Sequence, residues 1–218
     1  MNLDETTRAL CAELSERQHC HTVILYGSRA HGTTLPESDY DLAGFREAET
    51  TVRDARVCQG RFLDLFLYPD SLLAAPTANL LKLRGGVVLT ERDGLGTALL
   101  ARLEEIFTAG PEKLPPDEIE ARRVWAFKML ARAKRGDLEG NYRRSWLLTA
   151  LIEDYFHLRG LWYLGSKAAF AWLREHDART CAACEEALKP GARIEAIAAL
   201  VALVTERAEP DGPDELRD

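Results

Sequence analysis

Every stretch of the chain that can form a β-strand lies before Pro111, and only helical periodicity follows it. The β-branched run Thr22-Val23-Ile24-Leu25-Tyr26 ends at Gly27 and predicts a buried strand stopped by a tight turn. Residues 39–45 and 61–67 predict a second and a third strand, the latter stopped by Pro69. Gly86-Val87-Val88-Leu89-Thr90 predicts a fourth, followed by a turn at Asp93-Gly94. Helices are expected over 3–17, over 71–83 despite Pro76, and over 97–107, the last closed by Gly110-Pro111.

Three prolines between Pro111 and Pro116 then predict a linker. Beyond it, Asp117 is expected to cap a helix running to about residue 135. Leu147, Leu151, Tyr155, Leu158 and Trp162 recur at turn spacing and predict a long helix over 142–163. Another is expected over 166–175, a further one is broken by Pro190-Gly191, and an alanine-rich one covers 192–207. The expected fold is α+β: a small mixed β-sheet domain flanked by helices over 1–110, then an all-α helical bundle over 117–207. Residues 208–218, acidic and holding Pro210 and Pro213, are expected to form a flexible tail.

A chain of 218 residues can bury one large core or two small ones. Its net charge of −7 and pI of 5.4 argue against a grip on long nucleic acid, which needs a basic footprint. No run approaches the roughly 20 apolar residues of a membrane helix, and Met1 to Glu5 opens polar and acidic, so a cytoplasmic protein with no membrane partner is expected. The five cysteines are odd in number and lack framework spacing, as reduced thiols would be. Cys181-Ala-Ala-Cys184 has no second pair nearby and is expected on a helix surface rather than on zinc.

The chemistry is concentrated after the first strand. Gly27-Ser28-Arg29-Ala30-His31-Gly32 follows it, then Asp39-Tyr40-Asp41, and Asp64 sits within an apolar strand. Gly27 permits a sharp turn and close approach to a ligand. Ser28 would begin a helix, where free N–H groups favour phosphate oxygens, and Gly32 would close the loop where a side chain would intrude. Asp39 and Asp41, two apart on a strand, point the same way about 7 Å apart, with Tyr40 turned to the other side. Asp64 would add a third carboxylate from a neighbouring strand. Hard oxygen ligands of this kind suit Mg²⁺.

Gly27-Ser28-Arg29-Ala30-His31-Gly32 with Ser38-Asp39-Tyr40-Asp41-Leu42 resembles the signature of the DNA polymerase β-like nucleotidyltransferase superfamily. The resemblance covers roughly residues 20–90. It implies a two-metal transfer of a nucleoside monophosphate, with release of pyrophosphate. In that scheme Asp39 and Asp41 bind both Mg²⁺ ions, while Asp64 completes the second site and helps activate the acceptor hydroxyl. Ser28, with Gly27, Arg29 and Gly32 around it, would hold ATP or another nucleoside triphosphate. In layout the helical half is similar to that of bacterial aminoglycoside nucleotidyltransferases, where it helps bind the acceptor.

The expected partners are therefore a nucleoside triphosphate and a small hydroxyl-bearing acceptor such as an antibiotic. A protein acceptor, as in antitoxin-type AMP transferases, and nucleotide binding without turnover are the alternatives. Within the basic stretch 122–144, Arg123 and Lys128 are candidates to reach a triphosphate. Glu153 and His157 share a helix face that Gly160 would continue, and they could act as general base or bind a cationic acceptor. Trp125, Trp146, Tyr155, Trp162, Tyr163 and Trp172 are expected in the bundle core.

Overall fold

The computed structural model describes residues 3–32, 38–58 and 60–206. The expected tail over 208–218 and the Cys58 thiol lie outside what is described. The chain divides into two compact units, Met1–Ala109 and Gly110–Asp218. No described helix is long and apolar enough to cross a membrane.

The first unit is α+β. Its sheet has the order β3-β4-β2-β1-β5, from β1 (Thr22–Tyr26), β2 (Tyr40–Arg46), β3 (Val52–Cys58), β4 (Arg61–Pro69) and β5 (Val87–Thr90). Only the β2–β4 pair is parallel; the other three are antiparallel, so the sheet is mixed. One face carries Val23, Leu25, Tyr40, Leu42, Leu63, Leu65 and Leu67, which pack with Leu10 and Leu14 of α1 (Glu5–Glu16) into a buried core. Asp4 caps α1 by accepting a hydrogen bond from the Thr7 amide at 2.7 Å. The opposite face carries Tyr26, Asp41, Asp64, Phe66 and Tyr68, because paired residues on neighbouring strands share a side. Part of that face is covered by α4 (Leu95–Ala109), whose Gly96 lies close to the Thr22 and Val88 side chains.

Two elements depart from the sequence expectation. Strand β3 forms where no strand was expected. It is the edge strand, needs only the β4 ladder, and leaves Val52 and Val57 exposed, so it carries little of the apolar alternation that marks a buried strand. The expected helix over 71–83 is two pieces: a single turn, α3 (Ser71–Ala74), and a 3₁₀ stretch at Ala78–Leu83. Pro76 separates them, since it lacks the N–H a continuous helix requires.

The second unit is all helical: α5 (Pro116–Ala133), α6 (Leu138–His157), α7 (Ser166–His176), α8 (Ala178–Leu188) and α9 (Ile194–Thr205). Leu147, Leu151, Tyr155, Leu173, Ile197, Leu200 and Val201 are central to its core. Asp117 does not cap α5. Pro115 stands at the cap with Pro116 in the first position, where a missing N–H costs nothing, and Asp117 lies in the first turn. Helix α6 begins earlier than expected because Asp137 caps it through the Gly140 amide, and it ends at His157 rather than 163. Gly160 therefore lies beyond the helix and does not continue the Glu153–His157 face. Cys181 and Cys184 are not on a surface. Both are buried in the α8 contribution to the core, and burial pushes the Cys184 thiol up to about 11. Trp146 is 44% exposed and so is not a core residue, whereas Tyr155 is buried.

Candidate functional site

Strand β1 delivers the chain to the turn at Gly27, and the short helix α2 (Gly27–Ala30) follows directly. Gly27 has φ of +70°, and a methyl group on it would overlap the Asp41 carboxylate. The close approach that requires glycine here is thus between the turn and an acidic side chain. Gly32 has φ of +69°, and among the described residues nothing lies within 4 Å of where its Cβ would be. Its left-handed backbone conformation suits glycine at that position.

The sheet register aligns the acids. Asp41 is directly opposite Asp64 on the parallel β2–β4 pair, and Tyr26 is opposite Asp41 on β1. Directly opposed residues on one face have Cβ atoms about 5 Å apart. Asp64 is held by Arg53 of the edge strand, whose Nε and Nη2 donate to its two carboxylate oxygens at 2.7 and 3.0 Å. This is the forked geometry in which a guanidinium matches a carboxylate. Asp39 lies just before β2 and is exposed. It lines an open pocket together with Asp64, Arg53, Val57 and Phe62.

Among the described residues, no three or more His, Cys, Asp or Glu side chains are gathered closely enough to hold a metal. Asp41 and Asp64 are paired in register, and Asp39 precedes Asp41 by two residues. Like charges repel, and Asp64 turns to the guanidinium that compensates it.

The charge on this face has visible effects. Burial, Asp41 and Asp64 push the Tyr26 hydroxyl far above its ordinary value. Burial and Asp64 push Tyr68 up to about 12. Both phenols therefore stay protonated and can donate near neutral pH. Lys82, from the 3₁₀ stretch, also reaches this face: its Nζ lies 3.2 Å from the Phe66 ring centroid. Neither Arg53 nor Lys82 was singled out from sequence.

Arg29, expected among the nucleotide-binding groups, bonds to the backbone that leads into β2. Its Nε donates to the Asp39 carbonyl at 2.9 Å and its Nη2 to the Ser38 carbonyl at 2.7 Å. The guanidinium also lies over the Tyr40 ring at 3.6 Å. Its donors fasten the segment that leads Asp39 and Asp41 into the sheet. Ser28, partly buried, follows Gly27 in α2.

In the helical unit, Glu153 and His157 do share a face, with Oε1 and Nδ1 3.7 Å apart. They belong to a larger cluster. Arg122 donates to Glu118 at 2.8 Å and to the buried Asp154 at 2.7 Å, and its Nη1 is 3.3 Å from His157 Nδ1. Burial raises the Asp154 carboxyl although Arg122 opposes the shift. Arg123 is 4.0 Å from Glu120 and its Nε has no hydrogen-bond partner, while Lys128 is exposed. Asp154 was missed because an acid within an apolar helical run carries no local mark of its partner.

No protein-family description matches the chain, and no curated protein matches it. Among solved structures, it is similar to a nucleotidyltransferase-like protein from Exiguobacterium sibiricum, with 15% identity, 91% of this chain and 73% of that one covered, and a TM-score of 0.40.

Proposed function

We propose that this chain is a Mg²⁺-dependent nucleotidyltransferase that moves a nucleoside monophosphate, AMP from ATP in the first instance, onto a hydroxyl of a small molecule. The observation that supports this best is the in-register pairing of Asp41 with Asp64 on one sheet face, with Asp41 seated against the Gly27 turn. The donor set fits a hard cation, since it consists of carboxylate oxygens without sulfur or imidazole. Asp39 and Asp41 would hold both ions and Asp64 the second. When bound, such a pair stabilises negative charge on the attacking and leaving oxygens.

The chain's own groups then have distinct roles. Ser28 and the backbone beside Gly27 bind the terminal phosphates. Asp64 accepts the proton of the acceptor hydroxyl as its oxygen bonds to the α-phosphorus, and the bond from that phosphorus to the departing pyrophosphate breaks. Arg53 holds Asp64 until the substrates arrive. Arg29 keeps Asp39 and Asp41 at the start of β2. The acceptor would be bound by the helical unit, where Glu118, Arg122, Trp125, Trp146 and Asp154 line one pocket.

Labelled ATP, Mg²⁺ and a panel of aminoglycosides, lincosamides and other polyols test the proposal. Pyrophosphate release that requires an acceptor is the expected result, and Asp64→Asn should slow it about a hundredfold or more. Label on a protein band instead would indicate protein AMP transfer. Nucleotide binding with no pyrophosphate release under any acceptor would contradict turnover.

A further inference from the structure

The geometry points to Lys82 as a substrate-binding residue of this site, its ammonium contacting the phosphate oxygens of the nucleoside triphosphate; this rests on the nucleotidyltransferase reading above. Lys82 belongs to the 3₁₀ stretch Ala78–Leu83, whose Leu80, Leu81 and Leu83 are buried and anchor it. The buried leucines flank Lys82 on both sides, so the backbone that carries it is fixed while its side chain extends over the sheet face. There Nζ lies 3.2 Å from the centroid of Phe66, 5.7 Å from Tyr26 and 5.9 Å from Tyr68.

Three aromatic faces hold the cation by their quadrupoles, and a primary ammonium with one N–H turned to a ring still has others to donate. The electrostatic neighbours of Lys82 are Asp64, Asp41 and Arg53, yet among the described residues it makes no direct ion pair. A flexible lysine free to choose would close onto one of these acids. Here the rings keep the ammonium on the same face as both acids, with donors to spare. The charge balance agrees. Asp41 and Asp64 suit cations, but a triphosphate brings several negative charges of its own toward them. A fixed ammonium nearby offsets that repulsion and gives the phosphate oxygens a donor the acids cannot supply.

A lysine that only compensates Asp41 and Asp64 would have the same neighbours, so the test must depend on the phosphates. Calorimetric affinities are measured, with Mg²⁺ present, for a non-hydrolysable ATP analogue and for adenosine, in wild type, Lys82→Met and Lys82→Arg. Lys82→Met is expected to weaken the analogue about tenfold or more, the loss of a charge-assisted hydrogen bond, and to leave adenosine unchanged. Lys82→Arg should recover most of the affinity. Equal affinity of wild type and Lys82→Met for the analogue would overturn the assignment while leaving the nucleotidyltransferase reading in place, and so would a parallel loss for adenosine. A wild-type protein that binds no analogue would overturn both.

Discussion

A single missing side chain does much to set this site. Gly27 combines a left-handed backbone with direct approach to the Asp41 carboxylate. Alanine there would cost about 1–2 kcal/mol for the backbone conformation alone, and its methyl would also have to displace Asp41. Gly27→Ala is therefore expected both to lower the melting temperature and to reduce nucleotidyl transfer more than the stability loss explains. Thermal unfolding and initial rates, measured well below the melting point, check this; a variant that keeps the wild-type rate would show that Asp41 need not sit against the turn. Asp39, Asp41 and Asp64 could be picked out from the sequence because acids stand out beside a glycine turn and inside an apolar strand. The residues that meet them could not. Arg53 arrives from an edge strand with almost no apolar alternation, and Lys82 from a 3₁₀ stretch that resembles ordinary helix in sequence. Arg29 sits in the motif yet turns to backbone carbonyls, a choice fixed only once residues 38 and 39 are placed beside it.

At the scale of elements, Asp4 ties helix to sheet. Asp4 caps α1 on the core side, and its other oxygen accepts from the Tyr40 hydroxyl at 3.0 Å and from Arg29 at 3.4 Å. It thereby links α1, β2 and the residue that fastens the Asp39 segment. Burial opposes ionisation of Asp4, but the Thr7 amide and hydroxyl, Tyr40 and Arg29 outweigh it and hold the carboxyl below its ordinary value. A depressed carboxyl stabilises the fold fully above the unfolded value of about 3.9, and that contribution is lost as pH falls through the depressed value. Asp4→Ala should thus cost about 1 kcal/mol at neutral pH. The gap between variant and wild type should narrow as pH falls below about 4. Urea midpoints at several pH values measure it, and a gap that stays constant into acid would remove the ionised cap from the explanation.

The elements themselves were unevenly legible. Strands β1, β2, β4 and β5 announce themselves by β-branched or alternating apolar runs bounded by glycine and proline. Register is another matter. Nothing local places Asp41 opposite Asp64, since β2 and β4 are parallel neighbours joined through an intervening hairpin strand. The end of α6 was also obscured, because Leu158, Trp162 and Tyr163 keep helical spacing after the backbone has already turned at His157. Leu158 and Tyr163 still pack onto the helical core from outside the helix.

For the molecule as a whole, each unit has a core of its own. The helical core draws on all of α5 to α9 and leaves Asp154 as its buried acid, satisfied by Arg122. A fragment spanning 110–206 is accordingly expected to give a helical far-UV spectrum and a single cooperative thermal transition. A fragment lacking cooperative unfolding would show that this core is incomplete by itself. The sheet unit supplies the acids, the turn and the cations of the candidate site, so nucleotide and metal binding are expected to depend on residues before Gly110.

The most direct test is Mn²⁺ binding followed by electron paramagnetic resonance, with and without a non-hydrolysable ATP analogue, in wild type and in Asp41→Asn. The pairing of Asp41 with Asp64 predicts that wild type binds Mn²⁺ together with the analogue and that Asp41→Asn, still folded, loses that binding. Equal Mn²⁺ binding by the two proteins, or none by wild type with the analogue present, would contradict it.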